Sequence, residues 1–411
     1  MRNLILVAAI VFGGIGYARA DMVSDVMANN LYAGTLQTGD SVLGAIIDKG
    51  DRATLAQAQS ARGLLQFVKA VEHLSQSLYF YGLETHPGDE MMQLPILRVP
   101  VEPNPHPEKI DYQKYRAILQ NLFDDLNQAD ALLAEGAKGE GVKLPLDLTK
   151  VRVDMNKDGS ADSQESLGFI LEKILGSPVG GVIPDLNFNF DKADLFWLRG
   201  YIQFLTAAAE FGLAIDFEDS FNKTGHAFFP KSGLLMSDIL LMRSQSMGFV
   251  DNSVGDALAL VHLMNWKVTD PQKFDDVRLR LIKLAELSPE SWKAARAETD
   301  NDREWLPNAK QTGRWGAMAV DDATIDGWLA VVSEFKKVLE GKKLAPHWRF
   351  NQGINVKRIF QETKRLDIVL LIAGVDAVPF LETGTISSAA NWDGLTSLFR
   401  GNFLGYALWF N

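Results

Sequence analysis

The chain has 411 residues, a formal charge of −11, 47% apolar residues and no cysteine, which excludes disulfides, thiolate metal sites and cysteine nucleophiles. Nucleic acid is a poor partner, because phosphate binding needs clustered Lys and Arg, and no basic run exceeds Lys336-Lys337 or Lys342-Lys343. Length and composition fit one large or two medium globular domains with a sizeable core.

Residues 1–20 read as a secretory signal. Arg2 gives the positive start, Leu4 to Ile15 the apolar stretch, and Ala18-Arg19-Ala20 the small-x-small cleavage site. The apolar stretch is too short to span a bilayer comfortably. The mature chain then begins at Asp21, carries −13 once Arg2 and Arg19 are removed, and is periplasmic or secreted. No transmembrane span is expected in it, since even the apolar run from Leu366 to Asp376 is bounded by aspartates.

From Thr54 to Gly82, Leu64, Phe67, Val68, Val71, Leu74 and Leu78 recur at spacings of three and four without a proline, which predicts one long amphipathic helix. Six prolines from Pro87 to Pro107 then forbid regular helix. Leu119, Leu122, Phe123, Leu126 and Leu133 resume the helical spacing over Tyr112 to Leu133. Gly136, Gly139 and Gly141 mark a turn, and Leu146, Leu148, Val151 and Val153 read as extended backbone.

The next segment runs Asp154-Met155-Asn156-Lys157-Asp158-Gly159-Ser160-Ala161-Asp162-Ser163-Gln164-Glu165. Side-chain oxygens fall at positions one, three, five, nine and twelve, and glycine at six, as a coiled loop needs to surround a hard cation. The segment resembles the EF-hand calcium loop. That resemblance implies side-chain oxygens from Asp154, Asn156 and Asp158, a backbone carbonyl from Ser160, a direct or water-mediated contact from Asp162 and a bidentate carboxylate from Glu165. Leu167, Ile170, Leu171, Ile174 and Leu175 follow as the apolar stripe of an exiting helix that Gly176 ends. Two features depart from the family pattern: the entering segment reads as extended, and Ala161 holds position eight, where a larger aliphatic residue joins paired loops. With no second complete loop in the chain, a structural calcium clamp is expected rather than a sensor that opens a groove.

Further helices are expected over 164–175, 191–215, 233–245, 254–264, 270–286, 323–339 and 355–363, and Asp185 to Asp191 alternates like a half-buried strand. The fold class is therefore mostly α: a multi-helix array or bundle with a few short strands or extended segments and a single EF-hand-like loop. Arg62-Gly63-Leu64-Leu65-Gln66-Phe67 and Arg199-Gly200-Tyr201-Ile202-Gln203-Phe204 share Arg, Gly, Gln and Phe in register 137 residues apart, the mark of either a duplicated helical half or chance. Trp197, Gly200 and Tyr201 resemble tetratricopeptide helices, at a compressed spacing. On this reading the mature region 21–411 forms two helical halves, about 21–150 and 177–411, joined through 151–176.

Asp300 to Trp305 begins like a calcium loop but has Trp305 where the glycine belongs, and so reads as a solvated loop. His73, His86, His106, His226, His262 and His347 lack short metal-ligand spacing, and His73 and His262 read as packed helix residues. The tryptophans read mostly as core, with a sugar-binding platform as the sharper alternative. No nucleophile elbow, phosphate-binding loop, dinucleotide fingerprint or zinc-protease motif is present. A calcium-binding structural or binding module, with an unidentified protein or glycan partner, is favoured over an enzyme. The competing reading is a secreted hydrolase of polysaccharide or cell-wall material, with carboxylates such as Asp216, Glu218 and Asp219 near His226 as acid and base, and facing carboxylates in a cleft would favour it. Export predicts that N-terminal sequencing of the protein from the periplasmic fraction begins at Asp21; recovery of Met1 would refute it.

Overall fold

The computed structural model describes residues 21–52, 54–84, 102–170, 186–231, 233–237, 252–313 and 320–387. Its elements in chain order are α1 (21–33), α2 (Leu36–Asp48), α3 (Leu55–Phe80), α4 (Tyr112–Gly136), β1 (Leu144–Asp147), β2 (Asn187–Phe190), α5 (Lys192–Ala214), β3 (Ile215–Asp216), α6 (Glu218–Thr224), α7 (Asn252–His262), β4 (Asn265–Val268), α8 (Pro271–Ala297), α9 (Asp322–Leu339), β5 (Gly353–Ile354), α10 (Val356–Glu362), β6 (Arg365–Asp367), α11 (Ile368–Ala373) and β7 (Leu381–Glu382). Mostly helical architecture with a few short strands is what the periodicity calls for. Aspartates start several helices: Asp111, Asp191, Asp270 and Asp321 each accept a first-turn N–H of α4, α5, α8 and α9.

Six helices stand in an antiparallel row, in the order α2, α3, α4, α5, α8, α9. The pairings fix the directions. Arg62 meets Asp40 while Lys69 reaches back to Gln37 across α2 and α3. His73 meets Asp125 near one end of the α3–α4 pair, and Gly63 faces Leu133 near the other. Arg199 reaches Asp130 while Arg116 reaches the Gly212 and Leu213 carbonyls across α4 and α5. Ser291 donates to the Ala193 carbonyl and Arg280 pairs with Glu210 across α5 and α8. Finally, Arg296 pairs with Asp326 and Arg278 donates to the Leu339 carbonyl across α8 and α9. One apolar core runs through the row from Val23 to Val332 and includes the β1–β2 hydrophobics and Met155.

The antiparallel order sorts the connections to two ends. At one end α3, α5 and α9 begin and α4 and α8 finish, and the antiparallel pair β1–β2 crosses there with Leu144 opposite Phe190. At the other end β3, β4 and β6 form a three-stranded antiparallel sheet beside a smaller core of Ile215, Val268, Phe274 and Leu366.

Several expected elements gain or lose length for identifiable reasons. Helix α8 continues through Pro289 to Ala297, beyond the expected end at 286. Its last turns bury Trp292 and Ala295, and Trp328 donates to Ser288 (2.9 Å), so packing outweighs a proline penalty of about 3 kcal/mol. Helices α1 and α2 precede the first expected one and bury Val23, Met27, Leu31, Leu36 and Leu43. Of the expected helix 164–175 the described part begins at 167 and runs to 170; residues 171–175 and most of 233–245 lie outside the described residues.

Gly63 permits the close approach of α3 to α4. A Cβ there would lie 2.7 Å from Leu133 Cγ and 2.9 Å from its backbone nitrogen. Gly63→Val should therefore force the helices apart and lower unfolding free energy by about 1–3 kcal/mol in a urea titration, whereas an unchanged midpoint would show that α3 and α4 adjust freely.

Candidate metal centre

The segment 154–165 closes on itself at its base. Leu167 N donates to Val151 O (2.7 Å) and Val153 N to Glu165 O (3.1 Å), with a bridge between Arg152 and Ser166. Between these ends the backbone coils through two left-handed residues, Lys157 (φ 61) and Gly159 (φ 88). A glycine is needed at the second because a side chain is strained at that φ.

The side chains then organise the N–H groups of the coil. Asp154 accepts from Asp158 N (3.1 Å) and Gly159 N (3.0 Å), Asn156 from Asp158 N (2.9 Å), and Asp158 from Ser160 N (2.8 Å). Asp162 accepts from Gln164 N (2.6 Å) and Glu165 N (3.2 Å). Glu165, only 6% exposed, accepts from Met155 N (2.7 Å), Asn156 N (3.4 Å) and Asp162 N (3.0 Å). Burial pushes its pKa up and the charge of Asp154 adds to this, while the three backbone N–H groups oppose it. Among the described residues no Lys or Arg pairs with Glu165. Ser160 contributes only its backbone to these contacts.

Helix α3 and the α1–α2 turn hold this coil from outside. Glu72 accepts from Asp154 N (2.9 Å) and Gln76 donates to Asp154 O (2.8 Å). The Glu72 pKa is raised, chiefly by burial, with the Asp154 charge contributing. On the other side Gly34, at φ 66, leaves room for Ala161: a Cβ on Gly34 would lie 2.5 Å from that of Ala161. Arg152 donates to Ala161 O (3.2 Å) and its own N–H to Leu31 O (2.9 Å). The small residue at position eight is thus a packing requirement of the α1–α2 turn.

The acids of 154–165 are gathered in one coil, yet the tightest carboxylate group among the described residues lies elsewhere. Asp191, Glu298 and Glu304 offer oxygens that all fall within 4.8 Å of one another, a donor set able to hold a metal ion. Asp191 caps α5, where the positive end of the helix favours its ionised form; Glu298 caps the C-terminus of α8, where the helix dipole disfavours a negative charge. Glu304 is buried and accepts from Asp302 N (2.7 Å). Behind them Trp305 packs against Phe188, Phe190 and Trp197 at ring separations of 4.8, 5.7 and 4.9 Å.

Withdrawal from water raises all three pKa values and drives Glu298 up to about 9, aided by the Asp191 charge and by its hydrogen bond with Asp191. Asp194, completing the capping box through Asp191 N (3.1 Å), is also pushed well upward by burial. Glu298 thus holds the proton that it donates to Asp191, and Gln311 donates to Glu298 Oε2 (3.1 Å). A cleft of about 600 Å³ opens on this group, rimmed by Lys143, Lys192, Phe196, Glu290 and Lys293.

This group was not foreseen. Asp300 to Trp305 is not the solvated loop that its missing glycine implied: Asp300 and Asn301 face water, but Glu304 and Trp305 are buried, and Arg303 adopts φ 63 while its guanidinium holds Asn187 and Asn189 at 2.8 Å each. The usable signal was an acid beside a bulky apolar residue. His73 and His262 are likewise not packed inside the fold; His73 is half exposed against Asp125 (2.8 Å) and His262 is exposed. Among the described residues the buried histidine is His226, paired with Asp256 (3.1 Å). Asp216, Glu218 and Asp219 remain exposed at the start of α6, with Asp219 paired to Lys223 (2.7 Å).

Between the ordinary carboxylate range and about 9 the folded chain keeps a proton on Glu298 that the unfolded chain releases. Its stabilising effect is full below that range and is lost as pH rises towards 9. Glu298→Gln retains a neutral hydrogen-bonding group, so its Tm should fall less steeply than that of the parent across this interval; parallel falls would refute the shared proton. Comparison of the chain with protein-family models, with curated proteins and with solved structures finds no match.

Proposed function

We propose that the chain is an exported, mostly helical binding or structural protein that takes up one calcium ion at Asp154, Asn156, Asp158, Ser160, Asp162 and Glu165. The observation carrying this reading is the buried Glu165 carboxylate at the twelfth position, met by three backbone N–H groups and, among the described residues, by no Lys or Arg, within a coil that alternates acidic side chains with left-handed turns. Oxygens of this number and hardness suit calcium. Calcium would neutralise the Asp154 and Glu165 charges and tighten a coil gripped by α3 and by the α1–α2 turn, so the ion serves as a clamp on the N-terminal side of the row. Extracellular sites of this kind bind at about 10⁻⁴ to 10⁻³ M.

The hydrolase reading draws support from the acid cleft at Asp191, Glu298 and Glu304. Sugar hydrolysis needs two carboxyls separated by about 5–5.5 Å or about 6.5–9.5 Å. Oxygens within 4.8 Å, one pair sharing a proton, suit proton or cation storage better than that chemistry.

Thermal unfolding of the mature chain in excess chelator, followed by a calcium titration with magnesium as control, tests the clamp. Calcium at about a hundredfold over Kd should add about 2.7 kcal/mol to the folded state. Asp158→Ala should abolish the rise while changing Tm little in chelator. A parent Tm that stays constant up to about 100 mM calcium, where sites of this affinity are filled, rejects the reading.

A further inference from the structure

The end of the row opposite the acid cluster carries an exposed apolar face. Trp348 is 72% exposed and Ile372 is 64% exposed, and Val375, Val378, Leu258 and Val261 are exposed with them. These residues form one neighbourhood. Trp348 Nε1 donates to Ile372 O (3.1 Å), and Leu258 and Val261 line a cleft of about 790 Å³ together with Val369 and Leu370 of α11. Gly374, at φ 94, turns the chain so that Val375 and Val378 follow directly.

Two features separate this face from scattered surface hydrophobics. First, the Trp348 ring is held outward: its one polar atom is satisfied internally, His347 Nε2 donates to the same Ile372 oxygen (3.2 Å), and the Arg349 guanidinium sits 4.6 Å over the indole. A ring so fixed keeps its apolar area in water at a cost that a covering surface would relieve. Second, the charge balance reverses here. Residues 341–380 contain seven Lys or Arg and three Asp or Glu; Lys342, Lys343 and Arg358 pair with Glu340, Glu334 and Glu362, which leaves Arg349, Lys357, Lys364 and Arg365 against Asp367 and Asp376, a net +2 in a chain of net −11. Arg349, Lys364 and Arg365 are exposed, and Arg365 lines the same cleft as Val369 and Leu370. The cleft also holds Asp216, Asp219 and Asp367: Asp219 pairs with Lys223, Asp367 caps α11 through Leu370 N (2.8 Å), and Asp216 is exposed.

We propose that this face docks on the surface of an anionic lipid bilayer, with Trp348, Ile372, Val375 and Val378 entering the boundary between headgroups and acyl chains and Arg349 and Arg365 meeting lipid phosphates. The aliphatic side chains demand no matched polar partner, and an arginine beside an exposed indole is an arrangement that interfacial insertion favours. A lipid surface also suits a locally positive stretch that carries exposed aliphatics, since anionic headgroups attract cations without a fixed geometry.

Flotation of the full mature chain with vesicles of equal parts phosphatidylglycerol and phosphatidylcholine tests this, with pure phosphatidylcholine as control. Binding should require phosphatidylglycerol and weaken as salt rises. Each basic residue near the surface contributes about a fivefold gain, so Arg349→Glu with Arg365→Glu should lower partitioning by at least about tenfold. Ile372→Asp should lower it similarly with Tm unchanged, its side chain being outside the core. Absence of binding to the anionic vesicles at low salt overturns the proposal, as does binding that both variants retain. Self-association that Ile372→Asp abolishes, without vesicle binding, overturns it too and assigns the face to a protein contact.

Discussion

Helix α5 lies between α4 and α8, and the long polar side chains of its middle turns, Arg199, Gln203 and Glu210, find their partners on those neighbouring helices. Asp130 of α4 accepts from Arg199 and Gln203, and Arg280 of α8 pairs with Glu210 and reaches Gln203. Glu210 is almost wholly buried, and its pKa is raised by that burial despite Arg280, which shows how tightly the pair depends on correct placement. These links lock the vertical register of three helices. Once α5 and α8 are antiparallel in that register, the start of one and the finish of the other must meet, and Asp191 and Glu298 are brought face to face.

The coil and the acid cluster are two answers to the same problem of a carboxylate withdrawn from water. Glu165 is surrounded by N–H groups pointing inward, which supports an ionised oxygen. Glu298 sits at the opposite kind of helix end and keeps a proton instead. Backbone direction, more than the identity of the acid, decides which answer is used.

Much of the helical row was legible because amphipathic spacing survives in any context: the boundaries of α3, α4, α5, α9 and α10 fall within three residues of those expected from apolar periodicity. The end of α8 was not legible, because the penalty of Pro289 is local whereas the burial of Trp292 that outweighs it is a tertiary quantity. The coil at 154–165 was readable because its donors are contiguous. Asp191, Glu298 and Glu304 were not, since a helix cap, another helix's end and a buried strap meet only after the row has assembled. The Arg-Gly-x-x-Gln-Phe echo has a structural counterpart: Arg62 pairs with Asp40 on the preceding helix as Arg199 pairs with Asp130. Gln66 and Gln203 do not continue the likeness, since Gln203 joins Asp130 while the Gln66 side-chain oxygen is buried without a hydrogen-bond partner.

The antiparallel row also sets a distance. Its central helix has 23 residues, or about 35 Å of rise, and separates the acidic cleft from the basic, apolar end. With the latter seated on a charged membrane, the cleft stands about four screening lengths away at physiological salt. Its protons and cations are then those of the surrounding fluid, and the surface potential that holds the protein in place does not reach the groups that respond to pH.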